Sequence, residues 1–401
     1  MSYINGRVVH DADAHVMETS EWVRSHADPS IRERLAPLRF TAVDPDPDRA
    51  EEIVQGWITK GHLDPDLRAR EPAEIMKRKN WKAVGATLAA DRSRAIDLLG
   101  MSSQLVFNSF HNGYLLRLEH DHDLDLAYGA ATAHNRAMVE FCHDDPRLLP
   151  TCYVPLAHFD RSATAVREAI DLGAAAILVG SACPREHSPS HRSLDAVWAQ
   201  VAEAGLPVVF HVGGGGRLLS PSFFTNGGPI PKDFHGGDEN FRSVDSVAIA
   251  PPVMQALAAL IFDGVLERFP SLHFGVIEQG AAWVPSWMHT MESSFNAFER
   301  HEDRLKQLSM RPSDYVRRQV RATPFPTEDV GWIIDNTGPS VCLFSSDYPH
   351  VEGGQRPFER FEASIGDRGE PVRDAFYRQN FVDLMGSGLP ADVAVGTIAA
   401  A

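Results

Sequence analysis

Short apolar runs alternate with helix-period segments along most of this chain, and that alternation leaves few folds open. The runs lie at 104–107, 152–156, 176–179, 208–210, 274–277 and 341–344. Each is too short for a helix and nearly unbroken in apolarity, as a strand buried on both faces should be. Residues 7–10 and a weaker run at 320–323 complete a set of eight. Between them the helices have readable ends. In 190–204, Leu194, Val197, Trp198, Val201 and Ala202 share one face, and Gly205 stands where a glycine ends a helix. Asp160 or Ser162 caps a segment that stops at Gly173, and Thr327 caps 328–336. Strands and helices in this order make βαβ units on a parallel sheet. Eight units favour an α/β fold closed into a (β/α)8 TIM barrel over an open sheet. The glycine run from Gly213 to Gly216 follows a late strand and lacks the GxGxxG spacing, which argues against a dinucleotide-binding sheet.

At 401 residues the chain exceeds what a bare barrel needs. Two regions take up the surplus. Residues 20–97 are polar and proline-rich, with helical stretches such as 72–81, and read as a helical insertion between the first and second strands. Residues 213–245 carry clustered glycines and read as a lid-like loop. A single domain over 1–385 follows, with 386–401 as a flexible C-terminal tail. The hydrophobic share of 43% supplies a full core. Lys and Arg total 38 against 54 Asp and Glu, a net charge of −16 that argues against nucleic acid or anionic membrane as partner and for a small molecule. The start lacks the layout of a signal peptide and no run of about 18 apolar residues is evident, so a cytoplasmic protein is expected. Cys142, Cys152, Cys183 and Cys342 are scattered without a CxxC pair, which suggests neither disulfides nor a zinc ribbon. An acidic barrel with such an insertion is also open to homo- or hetero-oligomer formation.

In a barrel of this kind the site is built at the carboxyl ends of the strands, so polar residues placed where an apolar run stops are the informative ones. The first strand runs into Asp11-Ala12-Asp13-Ala14-His15, where strict alternation puts Asp11, Asp13 and His15 on one face. Three other strands stop at His211, Glu278 and Asp347. Imidazole and carboxylate together suit zinc, manganese or iron, with an open position for water. Each residue alone is equally a hydrogen-bonded structural group or a turn former, but four strand ends in agreement point to one divalent metal site.

These segments also look familiar. Asp11-Ala12-Asp13-Ala14-His15-Val16-Met17-Glu18, His211 after Pro207-Val208-Val209-Phe210, Glu278-Gln279-Gly280-Ala281-Ala282-Trp283-Val284-Pro285 and Ser346-Asp347-Tyr348-Pro349-His350 resemble the amidohydrolase-related branch of the amidohydrolase superfamily. The resemblance spans roughly residues 7–380 and implies a (β/α)8 barrel with one or two divalent metals. It implies Asp13, His15, His211 and Asp347 as metal ligands. Many relatives have His-x-His or Glu-x-His where this chain has Asp13-x-His15, and decarboxylases of the branch commonly carry a catalytic histidine where this chain offers Glu278. No lysine closes the fourth strand, which speaks against a carbamate-bridged pair of metals.

The reading that results is a metal-dependent hydrolase or non-oxidative decarboxylase acting on a small carboxylate- or carbonyl-bearing substrate. Asp347 serves as base, and Glu278 or His235 on the glycine-rich loop moves the proton. Glu278 and His350 are offered as ligands of a second metal, which would suit an alternative, a dinuclear iron or manganese oxygenase on the same barrel. A catalytically silent metal-binding subunit is the second alternative. Arg217 and Arg321 are candidate anchors for a substrate carboxylate, or surface salt-bridge partners, and Trp283 is a candidate pocket wall, or core.

Overall fold

The computed structural model describes residues 2–216, 219–229 and 243–396. Seven strands run parallel in chain order: β1 (His10–Val16), β2 (Ser103–Asn108), β3 (Leu148–Tyr153), β4 (Ala176–Leu178), β5 (Val208–His211), β6 (Phe274–Ile277) and β7 (Val320–Ala322). Parallel neighbours need a crossover, and a helix stands in each, from Ala89–Leu99 before β2 to Pro312–Gln319 before β7. The helices end much as expected. Phe159–Leu172 stops at Gly173 and Asp195–Ala204 at Gly205, both glycines in the left-handed conformation. Their starts differ: His158 rather than Asp160 caps the first, and Asp329 rather than Thr327 caps Val330–Thr337.

The run expected as an eighth strand does not form a regular one. It is tied to both edges of the sheet by single parallel bridges, Cys342 to Ala322 and Tyr348 to Ala14. Leu343 N donates to Ala322 O at 3.1 Å, Ala12 N to Phe344 O at 3.1 Å and Asp347 N to Asp13 O at 2.9 Å. The ladder breaks where Ser346 turns its backbone N–H and its hydroxyl onto the Asp11 carboxylate, at 2.8 and 2.6 Å.

β1 itself departs from the reading of it. It starts at His10 and includes the whole Asp-Ala-Asp-Ala-His segment, because its polar side chains point at a site rather than at solvent. Its register against β2 slips between Asp11, opposite Gln104, and Ala14, opposite Val106. That is a bulge, one extra residue that puts two consecutive side chains on the same side. Asp11 therefore faces Gln104 and the helix layer, Gln104 Nε2 donating to its Oδ2 at 2.9 Å, and does not join Asp13 and His15. Burial pushes the Asp11 carboxyl up to about 7 despite donors from Ser346 and Gln104.

Between β1 and β2 lie the helices Trp22–His26, Pro29–Arg32, Pro47–Leu63 and Pro65–Glu74. Their return path crosses the carboxyl ends of the strands, where Asn80 N donates to Pro349 O at 2.9 Å. At the opposite end, Phe381, Leu384, Met385, Leu389 and Val393 share a buried cluster with inward-facing Leu105, Leu149, Val209 and Ile277. The expected flexible tail is thus packed through its described part, 386–396, and includes a helix, Ala391–Val395. Apolar side chains at 389 and 393 have a cluster to enter, and burial favours order. The stretch Ser243–Phe262, where no such apolar run was expected, is long and apolar enough to cross a membrane by length and composition. In this fold Val253, Leu257, Leu260 and Ile261 bury one face of it against the core.

Candidate active site

The carboxyl ends of β1, β5 and β6 and the turn at Asp347 converge. Asp13 Oδ1 lies 3.1 Å from His15 Nε2 and 3.3 Å from His211 Nε2. Glu278 Oε2 is 3.2 Å from His211 Nε2 and 3.8 Å from His15 Nε2, and Asp347 Oδ1 is 3.4 Å from His15 Nε2. His350 closes the group, its Nδ1 2.9 Å from Asp347 Oδ1 and its ring stacked on His15 at 3.9 Å between centroids. Asp13, His15, His211, Asp347, Glu278 and His350, each named from sequence, thus meet in one place.

The imidazoles are aimed by the backbone. His15 Nδ1 is 2.9 Å from Asn108 O and His211 Nδ1 is 3.0 Å from Val212 O, so each ring donates outward and turns Nε2 inward as an acceptor. Two of the carboxylates sit on strained backbone. Glu278 has φ 53° and Asp347 φ 51°, in the left-handed region that non-glycine residues avoid. Each is held there: Glu278 N donates to Thr323 Oγ1 at 2.9 Å, and Asp347 N to Asp13 O. Strain over-determined in this way collects at functional sites.

Electrostatics separate the two aspartates. Burial acts to raise both, but the proximity of His15 and His211 holds Asp13 well below the usual carboxylate range. Asp347 is pushed up to about 7 by burial and then by the Asp13 charge. Burial lowers His15 and takes His350 down to about 4, so both rings are held neutral, as ligands must be. The donor set fits a divalent cation on the evidence of its own atoms. His15 Nε2 and both Asp347 oxygens are buried with no hydrogen-bond partner. Four-atom sets from Asp13, His15, His211 and Glu278, and from His15, Glu278, Asp347 and His350, each lie within 4.8 Å of one another. A cavity opens on this centre, lined by His211, Glu278 and His350 with Met17, Phe110 and Phe325.

The remaining site expectations fall elsewhere. Arg321 sits in the middle of β7 with its guanidinium turned back onto the carbonyls of Arg317, Arg318 and Val320 and paired with Asp383, away from the centre. Trp283 turns its Nε1–H onto Gly280 O at 2.9 Å and packs edge-on against Trp287, outside the cavity lining. Arg217 and His235 lie outside the described residues.

Three supporting residues escaped the sequence reading. Glu18 is fully buried and accepts from the backbone N–H groups of Ser109, Phe110 and His111 and from His111 Nδ1, which fixes the end of β2. Arg92 is fully buried and donates to His15 O at 2.9 Å and to Gln104 Oε1 at 3.1 Å. Its signal was present, since Arg92, Ala95, Ile96 and Leu99 form the buried stripe of one helix. Lys79, from the segment before β2, brings a buried ammonium into the field of Asp347, and burial lowers it to about 8. Nothing in its local sequence marks it.

A parallel α/β sheet with imidazoles and carboxylates converging at the carboxyl ends of its strands defines a metal-dependent enzyme. The chain belongs to the amidohydrolase family, whose model matches residues 11–380. No curated protein matches it. Among solved structures it resembles an amidohydrolase from Mycobacterium avium subsp. paratuberculosis, at 24% identity and TM-score 0.73 over 96% of this chain and 100% of that one. It also resembles a 5-carboxyvanillate decarboxylase from Novosphingobium aromaticivorans, complexed with manganese and 4-hydroxy-3-methoxy-5-nitrobenzoic acid, at 17% identity and TM-score 0.60 over 95% and 96%. A 2,6-dihydroxybenzoate decarboxylase from Rhizobium aligns at 16% identity and TM-score 0.59 over 95% and 99%.

Proposed function

We propose that this protein is a metal-dependent hydrolase or non-oxidative decarboxylase of a small carboxylate- or carbonyl-bearing organic substrate, on a (β/α)8 barrel completed by the 341–348 segment. The observation that carries the reading is the placement of Glu278. Its side chain is 12% exposed at the cavity and 3.2 Å from His211, so it touches both the buried donor set and any molecule in the cavity. Asp13, His15, His211 and Asp347 would hold the metal. When bound, it would supply Lewis acidity, lowering the pKa of a bound water or polarising a substrate oxygen. The protein's own groups do the rest. Asp347 takes a proton at its Oδ atoms, with His350 Nδ1 2.9 Å from Oδ1. Glu278 carries a proton between cavity and centre, and Phe110 and Phe325 shed water from the bound substrate.

A second reading, a dinuclear iron or manganese oxygenase, is favoured by the two overlapping donor sets that share His15 and Glu278. Metal analysis of the purified protein, with CO2 release and oxygen uptake measured over a panel of small aromatic and aliphatic carboxylates and esters, separates the two. CO2 release or hydrolysis without oxygen uptake, abolished in Glu278→Gln with metal retained, is the expected result. Stoichiometric oxygen consumption with two metals per chain would overturn it.

A further inference from the structure

The chain has six lysines, Lys60, Lys77, Lys79, Lys82, Lys232 and Lys306, and the first four line a single open pocket between the helix Pro47–Leu63 and the segment 77–82. In a protein of net charge −16 this is a concentration of cations against the overall field. We propose that this pocket is a binding site for a compact, multivalent phosphorylated small molecule, separate from the metal centre.

Three features favour phosphoryl over carboxylate groups. The free cations are ammonium groups, which serve phosphate as point charges, whereas carboxylates are best matched by the planar fork of arginine. The pocket's one arginine, Arg78, is already committed: its Nε is 2.9 Å from Glu74 Oε2 and its Nη2 is 3.3 Å from Leu67 O. Lys60, Lys77 and Lys82 have no ion-pair partner among the described residues, so their charge is available to a ligand, whereas the Lys79 ammonium is buried towards Asp347. Lys82 Nζ lies 4.1 Å above the ring of Trp57, which steadies it at the pocket wall. Three separate ammonium groups around one opening suit a ligand carrying several negative charges rather than one.

The site does not rest on the proposed catalytic reading, and pyrophosphate is a probe that tests it directly. Titration of the metal-loaded full chain by calorimetry, followed in parallel by Trp57-dependent fluorescence, is expected to show one saturable site whose affinity falls as NaCl is raised. Lys60→Ala with Lys77→Ala should weaken binding at least tenfold, while His211→Ala leaves it unchanged. The charge-keeping pair Lys60→Arg and Lys77→Arg should retain it, and thermal unfolding checks that each variant is folded. No saturable binding, or binding lost in His211→Ala and kept in the double lysine variant, would overturn the proposal by placing pyrophosphate at the metal centre. Co-sedimentation with phosphatidylglycerol vesicles that exceeds pyrophosphate binding would overturn it in favour of a lipid surface.

Discussion

Asp347→Asn should stabilise the metal-free protein and shrink the stability that bound metal adds. The substitution keeps the shape of the side chain, and asparagine tolerates the left-handed backbone at this position better than most residues. What it removes is charge. In the metal-free chain the carboxyl is fully buried, next to Asp13, and its pKa moves from an ordinary 3.8 to about 7. A shift of roughly 3 units is worth about 4 kcal/mol at about 1.4 per unit, a ceiling that relaxation of the site lowers. Between about pH 4 and 7 the folded protein holds a proton that the unfolded chain has lost, so stability falls as pH rises through that window and is level above it. The Asn variant escapes this loss. In urea unfolding with EDTA at pH 8 it should be more stable than wild type by about 2–4 kcal/mol, and the two should converge towards pH 4. With metal the gap narrows. An ion at about 1,000 times its Kd stabilises the wild type by about 4 kcal/mol, and losing one ligand weakens affinity by roughly 10–100-fold or more, removing about 1.4–2.7 kcal/mol of that gain. The reasoning is refuted if Asn destabilises the EDTA-treated protein at pH 8, or if the manganese-induced shift is the same in both proteins.

His211→Ala and Asp13→Ala should each lower the metal content of the purified protein, measured by elemental analysis, and full occupancy in both would rule out the centre described above. Arg321→Met should cost roughly 2 kcal/mol in unfolding, less than a fully buried pair because Asp383 is half exposed, while metal content stays at the wild-type level. His134 is buried and held down to about 4 by burial, below its usual 6.5, so the unfolded chain takes up a proton there first and stability is lost as pH falls from about 6.5 to 4. Under saturating metal, His134→Gln should flatten that acid limb by up to about 3 kcal/mol, and an unchanged slope would show that this histidine is not responsible.

His211, Glu278 and Asp347 could be found from sequence because each is a polar residue at the place where an apolar run stops, and a barrel sends those places to one end. Arg321 was misplaced for the converse reason. Arg321 is the middle residue of Val320–Ala322, and a run this short does not reveal that its side chain turns back onto the carbonyls of the preceding helix. β3 was read four residues late because Pro150 interrupts the apolar signal of Leu148–Tyr153. Lys79 and Glu18 act across loops whose path depends on packing between distant segments, which no local pattern encodes. Glu18 alone binds residues more than ninety positions away.

The bulge in β1 gives that strand two phases. Upstream of Ala12, side-chain direction is set by the helix layer, where Asp11 meets Gln104, and downstream it is set by the cavity. A spacing of two residues therefore stops meaning a shared face at this one point, and the ligand pair is identified by counting back from His15, not forward from Asp11.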